Sequence, residues 1–268
     1  MNSLLSLKRY LGLPLDASAT GAGVDNLVFG VHLLMLLLFV GWLCYFVLVL
    51  FKFNRRAHPQ ADHAGVKNHS STYLEGLVAL IEGALLIGLA LPLWAHAVEQ
   101  FPKGNKPGDV TTIKVIAAQF NWHGWYPGAN GEFAKQDTKF VSADDPYGLD
   151  KADPNYKSNF IVANELVVPV HKPVVVHITS MDVIHCFSIK PMRVTQDAIP
   201  GMSIPAWFTP ERVGTYQINC AQLCGVSHYG MRGTLKVVSQ EDYDKWIAQN
   251  SSAASAPVAD MSKTAATE

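Results

Sequence analysis

Two long apolar segments dominate the first third of the chain. Residues 26–51 contain no formally charged side chain, and residues 74–97 contain only Glu75 and Glu82 among mostly Leu, Ile, Ala, Val and Gly. About 20 apolar residues are enough to cross a bilayer, so each segment predicts a membrane-spanning helix. A signal peptide is the competing interpretation of the first segment. It is too long for one and no small-residue cleavage site follows, so we expect it to stay in the mature protein.

Basic residues predict the orientation of the two spans. The connecting segment carries four Lys and Arg residues within residues 52–67, whereas residues 1–25 carry only Lys8 and Arg9. The positive-inside tendency places the connecting segment in the cytoplasm and both termini on the external, periplasmic face of an inner membrane. A two-helix hairpin buries little of its own surface, so membrane lipid and other membrane subunits are expected around it.

The second span carries two acidic residues on one face. Glu75 and Glu82 are seven residues apart, which is about two helical turns. Acids in a membrane helix normally face protein or water, so we expect this face to pack on another transmembrane subunit. For Glu75 a position at the polar interface and a role in proton movement both remain open.

The remainder of the chain has the pattern of an all-β domain. Short strand-like stretches alternate with turn clusters from Thr112 onward, which favours a sandwich or barrel. The acidic residues 142–156 are interpreted as a surface insertion, and Ser239 with Asp242 predicts a capping box for a final helix. The expected divisions are residues 1–25 as an external segment, 26–51 and 74–97 as spans, 52–73 as a cytoplasmic loop, 98–110 as a linker, 111–249 as the β-domain with its final helix, and 250–268 as a disordered tail.

Composition excludes some functions and leaves others open. Among 268 residues, 21 Lys and Arg balance 22 Asp and Glu, so the chain has no basic field for nucleic acid. It has no C-x-x-C-H motif, so it carries no attached c-type haem.

The most informative segment is residues 219–233, which place two cysteines, a histidine and a methionine in the pattern C-x3-C-x3-H-x2-M. Two thiolates, an imidazole and a thioether form a soft ligand set that suits copper. Methionine argues against zinc, whose sites use Cys, His and carboxylates. A disulfide between Cys220 and Cys224 is the alternative, but it gives no reason for His228 and Met231. A further imidazole is expected from a neighbouring strand, and His185 is the candidate, although a lone histidine there is more often structural.

Two spans followed by an external domain with D-V-I-H and C-x3-C-G-x2-H-x2-M resemble cytochrome c oxidase subunit II over residues 25–240. The resemblance implies a cupredoxin-like Greek-key barrel or sandwich that holds two copper ions in a centre called CuA. The two cysteines would bridge both coppers. The implied ligands are His185, Cys220, the backbone carbonyl of Gln222, Cys224, His228 and Met231.

The same resemblance implies a function. The chain would be a subunit of an oxidoreductase, with no catalytic residue of its own. It would take electrons from an external donor, a c-type cytochrome, and pass them to the haem centres of subunit I, which reduce oxygen to water. Subunits I and III are the expected membrane partners.

Three positions depart from the family pattern and one matches it. Gln222 replaces a glutamate that reaches a magnesium site in the family, which puts that site in question. Phe120 stands where the family has the tryptophan at which electrons enter, so Phe120 and Trp122 are the entry candidates. Glu75 matches a glutamate near a proton pathway, whereas Glu82 stands where the family commonly has proline.

Acidic residues of the external domain are candidates for docking a basic cytochrome. They are Asp144, Asp145 and Asp182. A solvated acidic loop is an equally good interpretation of the insertion that contains the first two.

Three other functions remain to be compared. A structural subunit like that of quinol oxidases would lack the copper ligands, which are complete here. A free-standing copper carrier or chaperone does not explain the glutamates of the second span. A protein resembling nitrous-oxide reductase would have a second, histidine-rich domain.

Overall fold

The computed structural model describes residues 12–60, 63, 67–104, 108–128 and 130–255, and these form two compact units. One unit contains the described part of Ala22–Phe101. The other contains Pro14–Gly21 together with the described residues after Pro102.

The first unit consists of long apolar helices. Helix α1 spans Gly21–Lys52, and α2 spans Ser70–Leu85 and continues through a π-helical turn, Leu86–Ala90, into α3, Leu91–Glu99. Two helical stretches, Gly21–Lys52 and Ser70–Ala95, are long and apolar enough to cross a membrane. The predicted spans, residues 26–51 and 74–97, lie within α1 and within the continuous helical segment from Ser70 to Glu99. No residue of α2 is buried by the rest of the chain, so its surface is available to lipid or to other subunits.

The second unit is a sandwich of two five-stranded sheets. The ten strands are β1 Thr111–Ala118, β2 Asn121–Tyr126, β3 Phe160–Ala163, β4 Glu165–Pro169, β5 Val174–Ser180, β6 His185–Ile189, β7 Val194–Ala198, β8 Ile204–Phe208, β9 Gly214–Cys220 and β10 Arg232–Val238. One sheet has the order β3-β2-β1-β5-β8 and the other β4-β10-β9-β6-β7. Apolar side chains of both sheets form one core between them. The predicted all-β class is confirmed, in its sandwich form.

Residues 160–170 read as one strand-like stretch in the sequence, but they form two strands in different sheets. Asn164 separates β3 from β4 and has a φ of 58°, a left-handed conformation that Asn tolerates better than most residues. Its side-chain oxygen accepts a hydrogen bond from the Trp122 backbone N–H at 2.9 Å. This crossing lets one segment contribute to both layers of the sandwich.

The insertion between β2 and β3 is more than a surface loop. It lays Ala134 and Leu149 over Trp125 and Ile116, and these four side chains form a second small core on the outer face of the first sheet. The predicted surface insertion, residues 142–156, lies within this segment, and its Leu149 is buried in the second core. This second core could not be predicted from β2. Trp125 lies on the strand face opposite the main core, and a residue on that face is ordinarily exposed.

The segment before α1 is bound to the β-sandwich. The Ala17 N–H donates to the Pro191 carbonyl at 2.9 Å, and the Glu211 N–H donates to the Ala17 carbonyl at 2.8 Å. The Arg193 guanidinium also donates to the Pro14 carbonyl at 2.8 Å. Residues 14–19 are thus an ordered strap, which the sequence alone did not predict.

The final helix, α4, spans Gln240–Ser255. The N-cap half of the predicted capping box is present, since the Asp242 N–H donates to Ser239 Oγ at 3.1 Å. The Asp242 carboxylate accepts from Ser239 Oγ at 2.7 Å rather than from the Ser239 backbone N–H of a full box. The helix continues past Gln249 to Ser255, where the sequence predicted a disordered tail, because the alanines in this segment have a high helix propensity. Residues 256–268 lie outside the described residues.

Asn159 is the hydrogen-bonding hub of the insertion. It is 6% exposed, and its oxygen accepts from Trp125 Nε1 and from the Ala134 N–H, both at 2.9 Å. Its amide nitrogen lies within 3.1 Å of the carbonyl oxygens of Pro127, Glu132 and Asn155.

We predict that Asn159→Ala destabilises the β-sandwich by about 3 kcal/mol, because it leaves several buried polar groups without partners. Chemical unfolding of the purified chain, followed by tryptophan fluorescence, measures the change. Lys151→Ala, an exposed change in the same insertion, is the control and should cost less than about 0.5 kcal/mol. Equal stability of the two variants would show that the insertion does not depend on this hub.

Candidate metal centre

The loop that contains the predicted ligands is anchored by strands at both ends. It leaves β9 at Cys220 and enters β10 directly after Met231. The Cys220 N–H donates to the Met231 carbonyl at 3.3 Å, which closes the base of the loop. Within it, His228–Gly230 form a single 3-10 turn. The loop is therefore short, closed and held at both ends by the sheet.

Strand β6 brings the remaining predicted ligand to this loop. It begins at His185 and pairs with β9 so that Phe187 lies opposite Cys220. The Ala221 N–H donates to the Cys186 carbonyl at 2.9 Å, which joins the loop to the start of β6. His185 itself is fully buried. The structure thus brings together residues that are 35 positions apart in the sequence.

The donor atoms lie at separations that suit metal binding. Cys220 Sγ lies 3.8 Å from Cys224 Sγ and 3.9 Å from His185 Nδ1. Cys224 Sγ lies 3.6 Å from His228 Nδ1 and 3.8 Å from Met231 Sδ. Cys220 Sγ is also 3.1 Å from the Gln222 carbonyl oxygen.

These separations agree with simple coordination geometry. Nitrogen and sulphur ligands about 2.0–2.3 Å from a tetrahedral metal lie roughly 3.3–3.8 Å from each other. The two sulphurs occupy the middle of the cluster, with a nitrogen donor near each of them. The residues therefore fit a soft metal centre.

All four cysteines of the chain are free, so the disulfide alternative for Cys220 and Cys224 is not adopted here. Burial, together with the neighbouring Cys220 thiol, raises the pKa of Cys224 to about 11. The Cys224 thiol is therefore protonated at neutral pH without metal, and metal binding must release its proton. Cys186 is not in the cluster; burial and its hydrogen bond with Asp197 raise its pKa to about 12.

Asp182 orients the His185 ring. His185 Nε2 lies 2.8 Å from Asp182 Oδ1, and since a carboxylate can only accept, Nε2 carries the hydrogen. Nδ1 then presents its lone pair towards Cys220. Burial opposes ionisation of Asp182, but the hydrogen bonds from His185 and from the Gln119 and Val183 N–H groups outweigh it, so the Asp182 pKa lies below its usual value. This tautomer is the one a metal ligand needs.

Gln119 connects the two halves of the centre. Its backbone N–H donates to Asp182 Oδ2, and its side-chain amide donates to the Cys224 carbonyl, both at 2.6 Å. It therefore holds the carboxylate that orients His185 and the loop that carries Cys224. These positioning roles of Gln119 and Asp182 were missed from the sequence, since the contacts span 63 and 105 residues.

The predicted electron-entry residues lie against the ligands. Phe120 is half-buried, and Gly225 has a φ of 138° beside it. A Cβ atom at Gly225 would lie 3.0 Å from the Phe120 ring, so only glycine fits this approach. Trp122 is 1% exposed and packs edge-on against His185, with ring centroids 6.2 Å apart. Trp125 belongs to the second core instead.

The other predicted residues lie away from the ligand cluster or serve the fold. Asp144 is exposed. Asp145 is 7% exposed, and its carboxylate accepts from the N–H groups of Tyr147 and Leu149 at 3.1 Å, so it closes a turn rather than presenting an exposed charge. Glu75 lies in the second turn of α2 and accepts a hydrogen bond from Ser71 Oγ at 2.8 Å.

Comparisons with known proteins agree on one family. The family model described as cytochrome C oxidase subunit II, periplasmic domain, matches residues 111–238. The alternative cytochrome c oxidase subunit 2 of Bradyrhizobium diazoefficiens is 30% identical over 79% of this chain and 74% of that protein. A probable cytochrome c oxidase subunit 2 of Rickettsia bellii is 32% identical over 82% of this chain and 75% of that protein.

Solved structures are similar as well. One of them is the periplasmic domain of subunit II of cytochrome oxidase from Bradyrhizobium japonicum, which is 30% identical. The match covers 57% of this chain and 97% of that chain, with a TM-score of 0.41.

We predict that Asp182→Ala weakens copper binding by about 10- to 100-fold, as the loss of a hydrogen-bonded partner of a ligating histidine usually does. Asp182→Asn should lose less, because its amide oxygen can still accept the His185 hydrogen. Competition with a copper chelator measures the affinity, and Asp144→Ala provides an exposed control. An unchanged affinity in Asp182→Ala would exclude the orienting role.

Proposed function

The chain belongs to the cytochrome c oxidase subunit II family, and on that premise we propose that it is the electron-entry subunit of a haem–copper oxidase. The observation that carries the proposal is the convergence of two thiols, two imidazoles, a thioether and a backbone carbonyl within 3.1–3.9 Å contacts. In this proposal His185, Cys220, Gln222, Cys224, His228 and Met231 hold two copper ions as a CuA centre.

When bound, the two copper ions would together carry one electron, and the change in charge would be shared between them. The protein keeps the donor atoms still while that charge changes. Cys224 and Met231 are 5% and 1% exposed, and the loop is tied to β6, β9 and β10 by backbone hydrogen bonds. A rigid set of ligands needs little rearrangement when an electron arrives or leaves. This is the requirement for a relay, and no residue of the cluster is needed for bond chemistry.

Electrons are proposed to enter at the edge formed by Phe120. Its ring is half-buried and lies close to Gly225, the residue after Cys224, so it is at the edge of the ligand loop. Trp122 is buried against His185 and has no exposed edge for a donor. We therefore assign entry to Phe120 and give Trp122 the role of fixing the His185 ring.

A c-type cytochrome is the proposed donor. The loop around the ligands presents Leu223, Val226 and Tyr229 to solvent, at 76%, 101% and 84% exposure. Of the three acidic docking candidates, Asp144 is the exposed carboxylate without a role in orienting a ligand. Asp182 is used by His185 and Gln119, and Asp145 is buried. Apolar contact close to the centre, with Asp144 farther out, is therefore the proposed mode of docking.

The structure supports one membrane orientation for the proposal. The strap, residues 14–19, is hydrogen-bonded to the β-sandwich and leads directly into α1. The segment before the first span therefore belongs on the same side of the membrane as the sandwich. The four basic residues within residues 52–67 place the connecting segment in the cytoplasm, so the sandwich lies in the periplasm.

Subunit I, and subunit III beside it, are the proposed membrane partners, with lipid covering the remaining surface. Glu75, at the cytoplasmic end of α2, is proposed to lie near the mouth of a proton pathway in subunit I. The Gln222 side chain is exposed and carries no carboxylate, so no magnesium site is proposed for it.

We predict that Cys220→Ser in the purified complex abolishes oxygen uptake driven by a reduced c-type cytochrome. The haems should still be reduced by a small reductant that reaches them directly, because only the relay is broken. Rapid-mixing absorbance of the haems measures both reactions. Cys186→Ser changes a buried cysteine outside the ligand cluster and should keep turnover with the cytochrome.

Two results would count against the relay. Normal turnover of Cys220→Ser with the cytochrome would mean that electrons bypass this centre. Loss of haem reduction by the small reductant as well would mean that the substitution damages the catalytic subunit rather than electron entry.

A further inference from the structure

The strap before α1 is built into the β-sandwich along its whole length. The Ala19 N–H donates to the Thr209 carbonyl at 3.0 Å, and Ser18 forms an antiparallel β-bridge with Pro210. The Ala17 side chain is 1% exposed and belongs to the main core. The strap therefore folds with the sandwich, although it precedes the first membrane helix in the chain.

Arg193 clamps the beginning of the strap. Its guanidinium donates to the Pro14 carbonyl at 2.8 Å and to the Lys190 carbonyl at 2.6 Å, so it joins the strap to the turn after β6. The Arg193 backbone has a φ of 56°, a left-handed conformation that is uncommon for residues other than glycine. Such conformations persist where the surrounding contacts hold them, and they occur mainly at functional positions.

The strap is attached to the two strands that carry ligands at their other ends. Arg193 lies just after β6, which begins at His185, and Thr209 precedes β9, which ends at Cys220. The two strands are antiparallel, so their strap-bound ends are neighbours in the sheet. At about 3.4 Å per residue, strands of this length place the strap roughly 14–20 Å from the ligands. The paired strands thus connect the strap to the ligand cluster.

The strap continues into the first membrane helix almost without a break. Residues 19–20 alone separate the bridge at Ser18 from Gly21, where α1 begins. The Gly21 N–H donates to the Ser18 carbonyl at 3.2 Å, and the Asp16 carboxylate fills the space that a side chain at Gly21 would take. The other connection between the helices and the sandwich, residues 100–110, is longer.

The sandwich is therefore joined to the membrane helices at two points of the chain. A domain held by one long connection can turn about it. A second, short connection that is hydrogen-bonded to the domain removes much of that freedom. An electron relay depends on such a restriction, because the rate of electron transfer falls steeply as the distance between donor and acceptor grows.

We propose that Arg193 is a positioning residue for electron transfer. By clamping the strap to the ends of β6 and β9, it keeps the ligand cluster at the distance that the electron acceptor in the membrane requires. This inference rests on the proposed function, because it assumes that a catalytic subunit supplies the acceptor.

The test uses the native complex, purified in detergent, with three variants. Arg193→Ala removes the clamp, Arg193→Lys keeps a donor for the Pro14 carbonyl, and Ala17→Asp places a charge in the core so that the strap is expelled. The Glu211 N–H donates to the Ala17 carbonyl, so hydrogen–deuterium exchange at Glu211 reports whether the strap is bound. Exchange should be faster in Arg193→Ala and in Ala17→Asp.

Two electron-transfer steps are then followed separately by rapid-mixing absorbance. The first is reduction of the copper centre by a reduced c-type cytochrome, and the second is passage of that electron to the haem. Arg193→Ala should slow the second step by about 10-fold, because a displacement of about 1 Å by a remote substitution can cost a reaction up to about 10²-fold. Ala17→Asp should slow it at least as much, and Arg193→Lys should recover most of the rate. The first step and the copper EPR spectrum should stay unchanged, because no ligand is altered.

Arg212→Ala is the matched control. Arg212 is exposed and follows Glu211, yet no hydrogen bond from its guanidinium to the strap is found among the residues that the structure describes. It should change neither step, and an equal slowing in this variant would overturn the proposal.

Three further results would overturn it. A normal second step in a variant with fast exchange at Glu211 would mean that the strap is released without effect. Slow exchange in Arg193→Ala would mean that Arg193 is not the clamp. Slowing of the first step as well, or loss of the copper signal, would mean that the substitutions damage the centre itself.

The wild-type complex separates this proposal from the proposed function. Normal rates in every strap variant, in a complex whose wild type passes electrons from the copper centre to the haem, remove only the positioning role. A wild-type complex whose copper centre is not reduced by the cytochrome removes the electron-entry function, whatever the strap does.

Discussion

The pairing of β6 with β9 is the constraint on which the candidate centre depends. It sets Phe187 opposite Cys220, and the hydrogen bond from the Ala221 N–H to the Cys186 carbonyl then holds the loop against the start of β6. His185 reaches the two thiols because of this register. A shift by one residue would turn His185 to the other face of the sheet and separate it from Cys220. The ligand loop, strand β6 and the His185 ligand are therefore held in place by the same strand-pairing contacts.

A second set of contacts supports this unit from the other sheet. Gln119 follows β1, yet its two N–H donors hold Asp182 and the Cys224 carbonyl. Trp122, on β2, packs against His185 and Phe187. The ligands thus lie where the two layers of the sandwich meet at one end. His185, Cys224 and Met231 are buried, and Cys220 and His228 are half-buried. The structure thus combines a fixed set of donor atoms with a half-buried aromatic ring at its edge, and both properties suit electron transfer.

The sequence predicted the local parts of this structure well. The loop ligands lie within twelve residues, from Cys220 to Met231, so their spacing alone predicted a soft metal site. The two apolar helices and the capping box at Ser239 were equally local. His185 was a candidate because the loop calls for a further imidazole, and the family resemblance then gave it a ligand role, since nothing near it in the chain marks it as a ligand. Gln119, Asp182 and the strap at residues 14–19 act through contacts between distant segments. The outer core around Trp125 was missed for the same reason, because burial of an outward face depends on an insertion elsewhere.

The most direct test of the two-copper centre is an EPR spectrum with a copper count, recorded on the full-length chain in detergent after loading. A CuA centre requires two coppers per chain and a spectrum in which one unpaired electron is shared between both nuclei. The cluster of donors around two central thiolates leads to that expectation. One copper per chain with a mononuclear spectrum would contradict it, and would make the protein a carrier with a single metal.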